Sequence, residues 1–191
     1  LMDELKDRDI DLELFRDRPL PSGRVRESGI KFSLAVMSCL YLGANSWSGR
    51  EFWAGAAVLG YATLMFNYFF FPSILRRYLL LNLATHNPVV ALVLLNSVVL
   101  FAVQHHLKWS ELKWSPVLLL ILMFWAMFFA WEISRKIRSR EEENEYVTYS
   151  RLLGRTSAVL VAVGAQTMTL VLALSFSRLF SSTLFFYGAL A

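Results

Sequence analysis

Apolar stretches long enough to cross a bilayer, about 20 residues each, recur along this chain and decide what it folds into. They fall at roughly 30–47, 52–71, 79–104, 114–131 and 156–177, and a further partial one runs from 182 to 191. The run from Pro88 is short by itself, but Tyr78–Ala84 extend it across a turn near His86, Asn87 and Pro88, since proline disfavours helix in the residue before it. Inside lipid a spanning segment must satisfy its backbone hydrogen bonds internally. The prediction is therefore an all-α, polytopic transmembrane helix bundle, and the 56% of hydrophobic residues, well above a soluble average, agrees with it.

The charged residues are distributed unevenly between the two ends of these spans. If residues 1–29 lie on one side, alternation of the spans puts all but four of the 19 Lys and Arg on that same side. The four exceptions are Arg50, Lys108, Lys113 and Arg178. Basic residues concentrate on the cytoplasmic side of membrane proteins, so residues 1–29, the Pro72–Asn87 connection and the 132–155 loop are all expected to face the cytoplasm. The expected location is a multi-pass protein of a bacterial inner membrane, with the lipid bilayer as a partner and no nucleic-acid partner. Trp47, Trp53, Trp109, Trp114 and Trp131 stand near span ends, where aromatic belts form. The single cysteine, Cys39, lies within an apolar run, which leaves no disulfide framework and no cysteine metal site. The chain begins in a charged segment and stops inside "STLFFYGALA", so it reads as a fragment of a longer protein forming one membrane domain over 1–191.

The cytoplasmic segments hold nearly all the ionisable groups, and chemistry is expected there. They contain no glycine-rich phosphate loop, nucleophile elbow or zinc-binding helix motif. What they do contain is "DELKDRDIDLELFRDRPLPSGRV". On a helix Glu4, Asp7 and Asp11 stand at i, i+3 and i+7, and Asp3 lies beside Asp7 at i+4, so the carboxylates share one face. A row of hard oxygen ligands suits Mg2+, which takes one or two carboxylates and fills its other positions with water and substrate phosphates. The plain alternative is an acidic solvated face. Against that alternative stand the adjacent membrane span and the arginine-studded Pro-Gly turn that follows.

These residues resemble the UbiA superfamily of intramembrane aromatic and polyprenyl transferases, whose first signature is N-D-x-x-D-x-x-x-D followed by R-P-L-P-S-G. Asp3, Glu4, Asp7 and Asp11 fall on the four positions, with Asp for Asn and Glu for Asp, and Arg18 to Gly23 repeat the second element letter for letter. The family places four spans before a second acidic motif, D-x-x-x-D, on the same face. Four spans separate Asp11 from Glu132 and Lys136, which occupy its two acidic positions, so a base replaces one acid. The resemblance covers the whole chain, and against the family's nine or so helices it implies that the first two and the last ones are missing.

The resemblance implies a prenyltransferase that moves a polyprenyl group from its diphosphate to an acceptor by magnesium-assisted ionisation. Glu4, Asp7, Asp11 and Glu132 are the implied metal ligands, Asp7 and Asp11 being the catalytic pair. Arg76, Arg77, Arg135 and Lys136 are candidates for the diphosphate, each with positive-inside anchoring as its plain alternative. Asn67 and Tyr68, near the cytoplasmic end of a span, are candidates for the donor pocket. The acceptor is not legible.

The second reading is a catalytically altered relative that binds isoprenoid diphosphates, or scaffolds a partner, without turnover; Lys136 is the residue that separates the two. A lipid-alcohol phosphotransferase is a third class, but its D-G-x-x-A-R signature is absent. Other polar residues have plainer expectations: His105 and His106 at an interface, His86 and Asn87 at a helix end, Gln166 bonding within a bundle, and Glu141 to Glu143 as a solvated run pairing with Arg138 and Arg140.

Overall fold

The structure, a computed structural model, describes residues 2–6, 8–143 and 148–179. Among the described residues every regular element is a helix. The chain divides into two compact units, Leu1–Ser73 and Ile74–Ala191, and each is described by itself.

The first unit opens with two short helices, α1 (Met2–Lys6) and α2 (Arg8–Leu14), which carry the acidic row. Residues 15–26 then form a chain of turns. Pro19 and Pro21 cannot donate backbone bonds, and the turns close instead through Ser22 N–H to the Arg18 carbonyl at 2.9 Å and Val25 N–H to the Pro19 carbonyl at 3.1 Å. Gly23 adopts φ +73°, a left-handed conformation that side-chain-bearing residues rarely take. Two 18-residue helices follow, α3 (Glu27–Ala44) and α4 (Gly49–Phe66), joined by a four-residue turn. Asn45 is buried in that turn and donates its amide to the Tyr41 carbonyl at 2.8 Å. Its side chain lodges against Gly55, where an added Cβ would meet Asn45 Cγ at 2.8 Å, so only glycine lets the helices approach so closely.

Beyond α4 the backbone does something unusual. Tyr68, Phe69 and Phe70 have φ of 50°, 49° and 65°, three successive non-glycine residues in the left-handed region. The boundary between the units then falls within α5 (Pro72–Arg77).

The second unit contains α6 (Leu79–His86), α7 (Pro88–Gln104), α8 (Trp114–Ser134), α9 (Tyr149–Leu153) and α10 (Arg155–Leu179). Asn87 keeps helical angles, φ −66° and ψ −29°, so α6 runs on into α7 with Pro88 at its first position. Among the described residues three helices are long and apolar enough to cross a membrane: Leu79–Gln104, Trp114–Ser134 and Arg155–Arg178. Helix α8 packs most extensively on α10. Each carries a buried alanine pair at i, i+4, Ala126 with Ala130 and Ala158 with Ala162. Small residues at this spacing let helix backbones come close where lipid offers no hydrophobic drive for association. At one end of the unit Leu79, Leu83, Ile133, Tyr149, Ala158 and Ala162 form a core cluster. Elsewhere large side chains such as Leu160, Leu170 and Val171 are exposed on α10, as expected of a surface that lipid covers. The partial span expected at 182–191 lies outside the described residues.

Candidate functional site

The acidic row is built on α1 and α2. Glu4 in α1 has its Oε2 buried without a hydrogen-bond partner among the described residues. A buried carboxylate oxygen is costly to leave unpaired, and Glu4 is thus a described side chain with an oxygen to offer a hard cation. Asp11 in α2 is 2% exposed, and its charge is met by Arg18, whose Nη1 lies 2.9 Å from Oδ1 and 2.8 Å from Oδ2. The arginine of the R-P-L-P-S-G element folds back across seven residues and stacks its guanidinium over the Phe15 ring at 4.7 Å. Asp7 lies outside the described residues, as does the side chain of Asp3. Among the described residues no three acidic, histidine or cysteine side chains gather as a metal centre.

Two further contacts fix this segment. Arg8 in α2 pairs with Glu27 at the start of α3 at 3.0 Å, and Lys31 pairs with the same carboxylate at 2.6 Å. The Glu27 carboxyl is held below its usual range by the Lys31 hydrogen bond first and by the Arg8 charge second. Lys6, between Glu4 and Asp7, donates its ammonium to the Met65 carbonyl at the end of α4, at 3.0 Å, and sits 3.8 Å above the Tyr68 ring. Tyr68 is buried, and Asn67 is exposed, its amide donating to the Thr63 carbonyl at 2.9 Å. The left-handed turn and the acidic row are therefore joined through Lys6.

In the second unit Arg76 and Arg77 stand exposed at the end of α5, Arg77 near the Tyr78 ring at 5.6 Å. Glu132, Arg135 and Lys136 come together at the end of α8. Lys136 Nζ reaches Glu132 Oε1 at 3.0 Å, and Arg135 Nε donates to Oε2. Arg135 remains half-exposed, whereas Lys136 is buried, its ammonium 5.9 Å from the centre of the buried Tyr149 ring. The Lys136 carbonyl accepts from Tyr149 N–H at 3.1 Å, so the backbone is pinned as well.

The loop beyond is tied by hydroxyls. Thr148 caps α9 by accepting from Arg151 N–H, and Ser150 Oγ accepts from Arg138 N–H at 2.9 Å. Both hydroxyls donate to the Glu143 carboxylate, at 2.7 Å and 2.6 Å. The Ser150 and Thr148 hydroxyls accordingly hold the Glu143 carboxyl below its usual range, and the Ser139 N–H does the same for Glu142. Glu143 is a cross-link rather than one of a uniformly solvated run.

The sequence showed no separate role for Lys6, placed Glu143 in a solvated run pairing with Arg138 and Arg140, and presented Arg18 only as part of a motif. The signal for Lys6 was a lone base inside an acidic row. For Glu143 it was the Thr and Ser that follow within a few residues.

The sequence model of the UbiA prenyltransferase family matches residues 1–191. No curated protein and no solved structure matches the chain.

Proposed function

This chain belongs to the UbiA prenyltransferase family, and from that premise we propose that it transfers a polyprenyl group from its diphosphate to an electron-rich acceptor with the help of magnesium. Membership makes it an integral membrane protein of a prenyl-transferring family; the metal, the site residues and the orientation are the proposal. The observation that carries it is the acidic row, where Glu4 keeps a buried oxygen without a partner among the described residues and Asp11 is buried beside the arginine of R-P-L-P-S-G. Glu4 fits a hard cation as it stands, whereas Asp11 would ligate one once the half-exposed Arg18 releases its two oxygens. Glu4, Asp7 and Asp11 would hold magnesium, which when bound supplies positive charge that makes the diphosphate a better leaving group.

The chain's own residues account for the rest. Arg76, Arg77, Arg135 and Lys136 bind the diphosphate oxygens and stabilise the charge that develops as the allylic carbon–oxygen bond breaks and its electron pair leaves with the diphosphate. Apolar helices keep water from the allylic cation, and the ring of Tyr68, with Asn67 beside it, lines the donor pocket, where an aromatic face favours cations. The acceptor closes the new carbon bond and gives up a proton. The 15 basic residues on one side, 19 less the four named above, support a cytoplasmic orientation of both acidic segments.

The test uses the full-length protein in nanodiscs. A nonhydrolysable prenyl diphosphate analogue is expected to bind only with magnesium, and Asp7→Ala is expected to abolish that binding; a folded wild type without magnesium-dependent binding refutes the reading. A second reading, diphosphate binding without turnover, draws on the engagement of both Glu132 oxygens by basic side chains. Magnesium-dependent release of diphosphate from a prenyl donor separates the two.

A further inference from the structure

The second acidic position does not fit a magnesium ion. Each oxygen of Glu132 is already engaged, Oε1 by Lys136 at 3.0 Å and Oε2 by Arg135. One turn further on, where a second carboxylate would complete a divalent site, the chain carries the Lys136 ammonium. A cation brought against Glu132 would meet two like charges at hydrogen-bond range of the same carboxylate, and such juxtaposition disfavours it strongly.

Lys136 is not placed like a membrane anchor either. Anchoring lysines extend their heads toward water, yet this side chain is 9% exposed while that of its neighbour Arg135 is 45% exposed. Burial of an ammonium is costly unless it is paired, and here Glu132 and the face of Tyr149 supply that environment. Backbone bonds on both sides, Lys136 N–H to the Ile133 carbonyl and Tyr149 N–H to the Lys136 carbonyl, fix where the side chain starts. The arrangement is a preorganised cation. The charges also differ from those of a metal site: two carboxylates around a divalent ion sum to zero, whereas Glu132, Arg135 and Lys136 sum to one positive charge.

We propose that the Lys136 ammonium, positioned by Glu132 and Tyr149, replaces a second metal ion as the cation that binds the donor diphosphate, so that magnesium is held at the first acidic row alone. This inference rests on the prenyltransferase reading. Lysine serves well as a point charge for phosphate oxygens, and one already ordered loses little freedom when the ligand arrives.

The experiment counts Mn2+ bound per chain, by electron paramagnetic resonance, on the full-length protein in nanodiscs with geranyl S-thiolodiphosphate. Glu132→Gln is expected to leave the wild-type number unchanged, and Lys136→Asp, which restores two acids at i and i+4, to raise it by one. Lys136→Met is expected to weaken the analogue about tenfold to a hundredfold, the range for a lost charge-assisted bond, and Lys136→Arg to recover most of that. Loss of one Mn2+ in Glu132→Gln overturns the inference, as does unchanged analogue affinity in a folded Lys136→Met protein. If Lys136→Met fails to fold, the Glu132→Gln count still decides. A wild type that binds neither Mn2+ nor analogue fails the prenyltransferase reading, and the inference falls with it; metal-dependent binding with a Glu132-bound ion sinks the inference alone.

Discussion

A single nitrogen of Arg18, Nη1, spans both carboxylate oxygens of Asp11, at 2.9 and 2.8 Å. The two partners differ in solvation, with the Asp11 side chain 3% exposed and that of Arg18 46% exposed. Removing the arginine leaves a buried charge without its partner, although water that already reaches Arg18 softens the loss. Arg18→Ala is expected to destabilise the protein by about 1–3 kcal/mol, and Arg18→Lys to restore part of this as a point charge. Unfolding in mixed detergent checks it; a wild-type midpoint for Arg18→Ala would show that Asp11 does not depend on this contact.

The left-handed turn makes the opposite kind of prediction. Each non-glycine residue with positive φ costs about 1–2 kcal/mol, and Phe70, at φ 65°, is 73% exposed. Phe70→Gly removes that strain while adding freedom to the unfolded chain, for a net gain of about 0.5–1 kcal/mol. Phe69 is the poorer test because its ring packs edge-on against Tyr61 at 5.4 Å. A lower unfolding midpoint for Phe70→Gly would mean that the ring contributes more than the backbone strains.

Lys6 contacts the turn at Tyr68–Phe70 from the other side, bonding the Met65 carbonyl and covering the Tyr68 ring, so it is placed to brace the strained backbone. Lys6→Met is expected to cost about 1–2 kcal/mol, the sum of a charge-assisted hydrogen bond and a partly buried cation–π contact. The same unfolding assay reads it. Phe70→Gly combined with Lys6→Met should recover part of the loss if the two act on one turn, and simple additivity would show that they do not.

The fold class was legible because continuous hydrophobicity needs no partner to be read: apolar runs around Trp114–Trp131 and beyond Thr156 can satisfy their backbones in lipid only within themselves. Family membership was legible because Arg18 to Gly23 are a contiguous string. The site was less so. That Glu132 has both oxygens engaged depends on which neighbours turn toward it, and Arg135 at i+3 and Lys136 at i+4 are near enough for either, both or neither to pair. Spacing fixes which side chains share a face, not which one is buried. The left-handed turn was hidden for a related reason, since "NYFFFP" holds no glycine to mark it and the side chain that contacts it, Lys6, lies more than 60 residues upstream in sequence.

Packing of α8 on α10 offers a test away from the charged residues. Ala130 and Ala158 are fully buried, so an added isopropyl group has no room. Overpacking typically costs about 1–3 kcal/mol, and Ala130→Leu is expected to fall in that range with helix content unchanged. Circular dichroism melts in detergent measure both quantities. A wild-type melt would mean that the helices separate at this level without penalty.

Glu143 links the loop to pH. Its carboxyl is held below the ordinary value of 4.5, chiefly by the Ser150 hydroxyl and then by that of Thr148. A carboxyl with a depressed folded pKa favours the native state fully above its unfolded pKa, and that contribution is lost as pH falls through the folded value. Neutral pH should therefore leave the loop intact, and acidification below about pH 4.5 should loosen it. The readout is hydrogen exchange at the Arg138 and Arg151 amides, which donate to Ser150 Oγ and Thr148 Oγ1. Normalised to the intrinsic rate, their protection should hold from pH 7 to about pH 5 and then decline in wild type. In Glu143→Gln it should be lower throughout and independent of pH, because an amide accepts more weakly than a carboxylate and does not titrate. If the variant instead declines along the wild-type curve, another carboxyl sets the acid limit, and Glu142, held low by the Ser139 N–H, is the next to substitute.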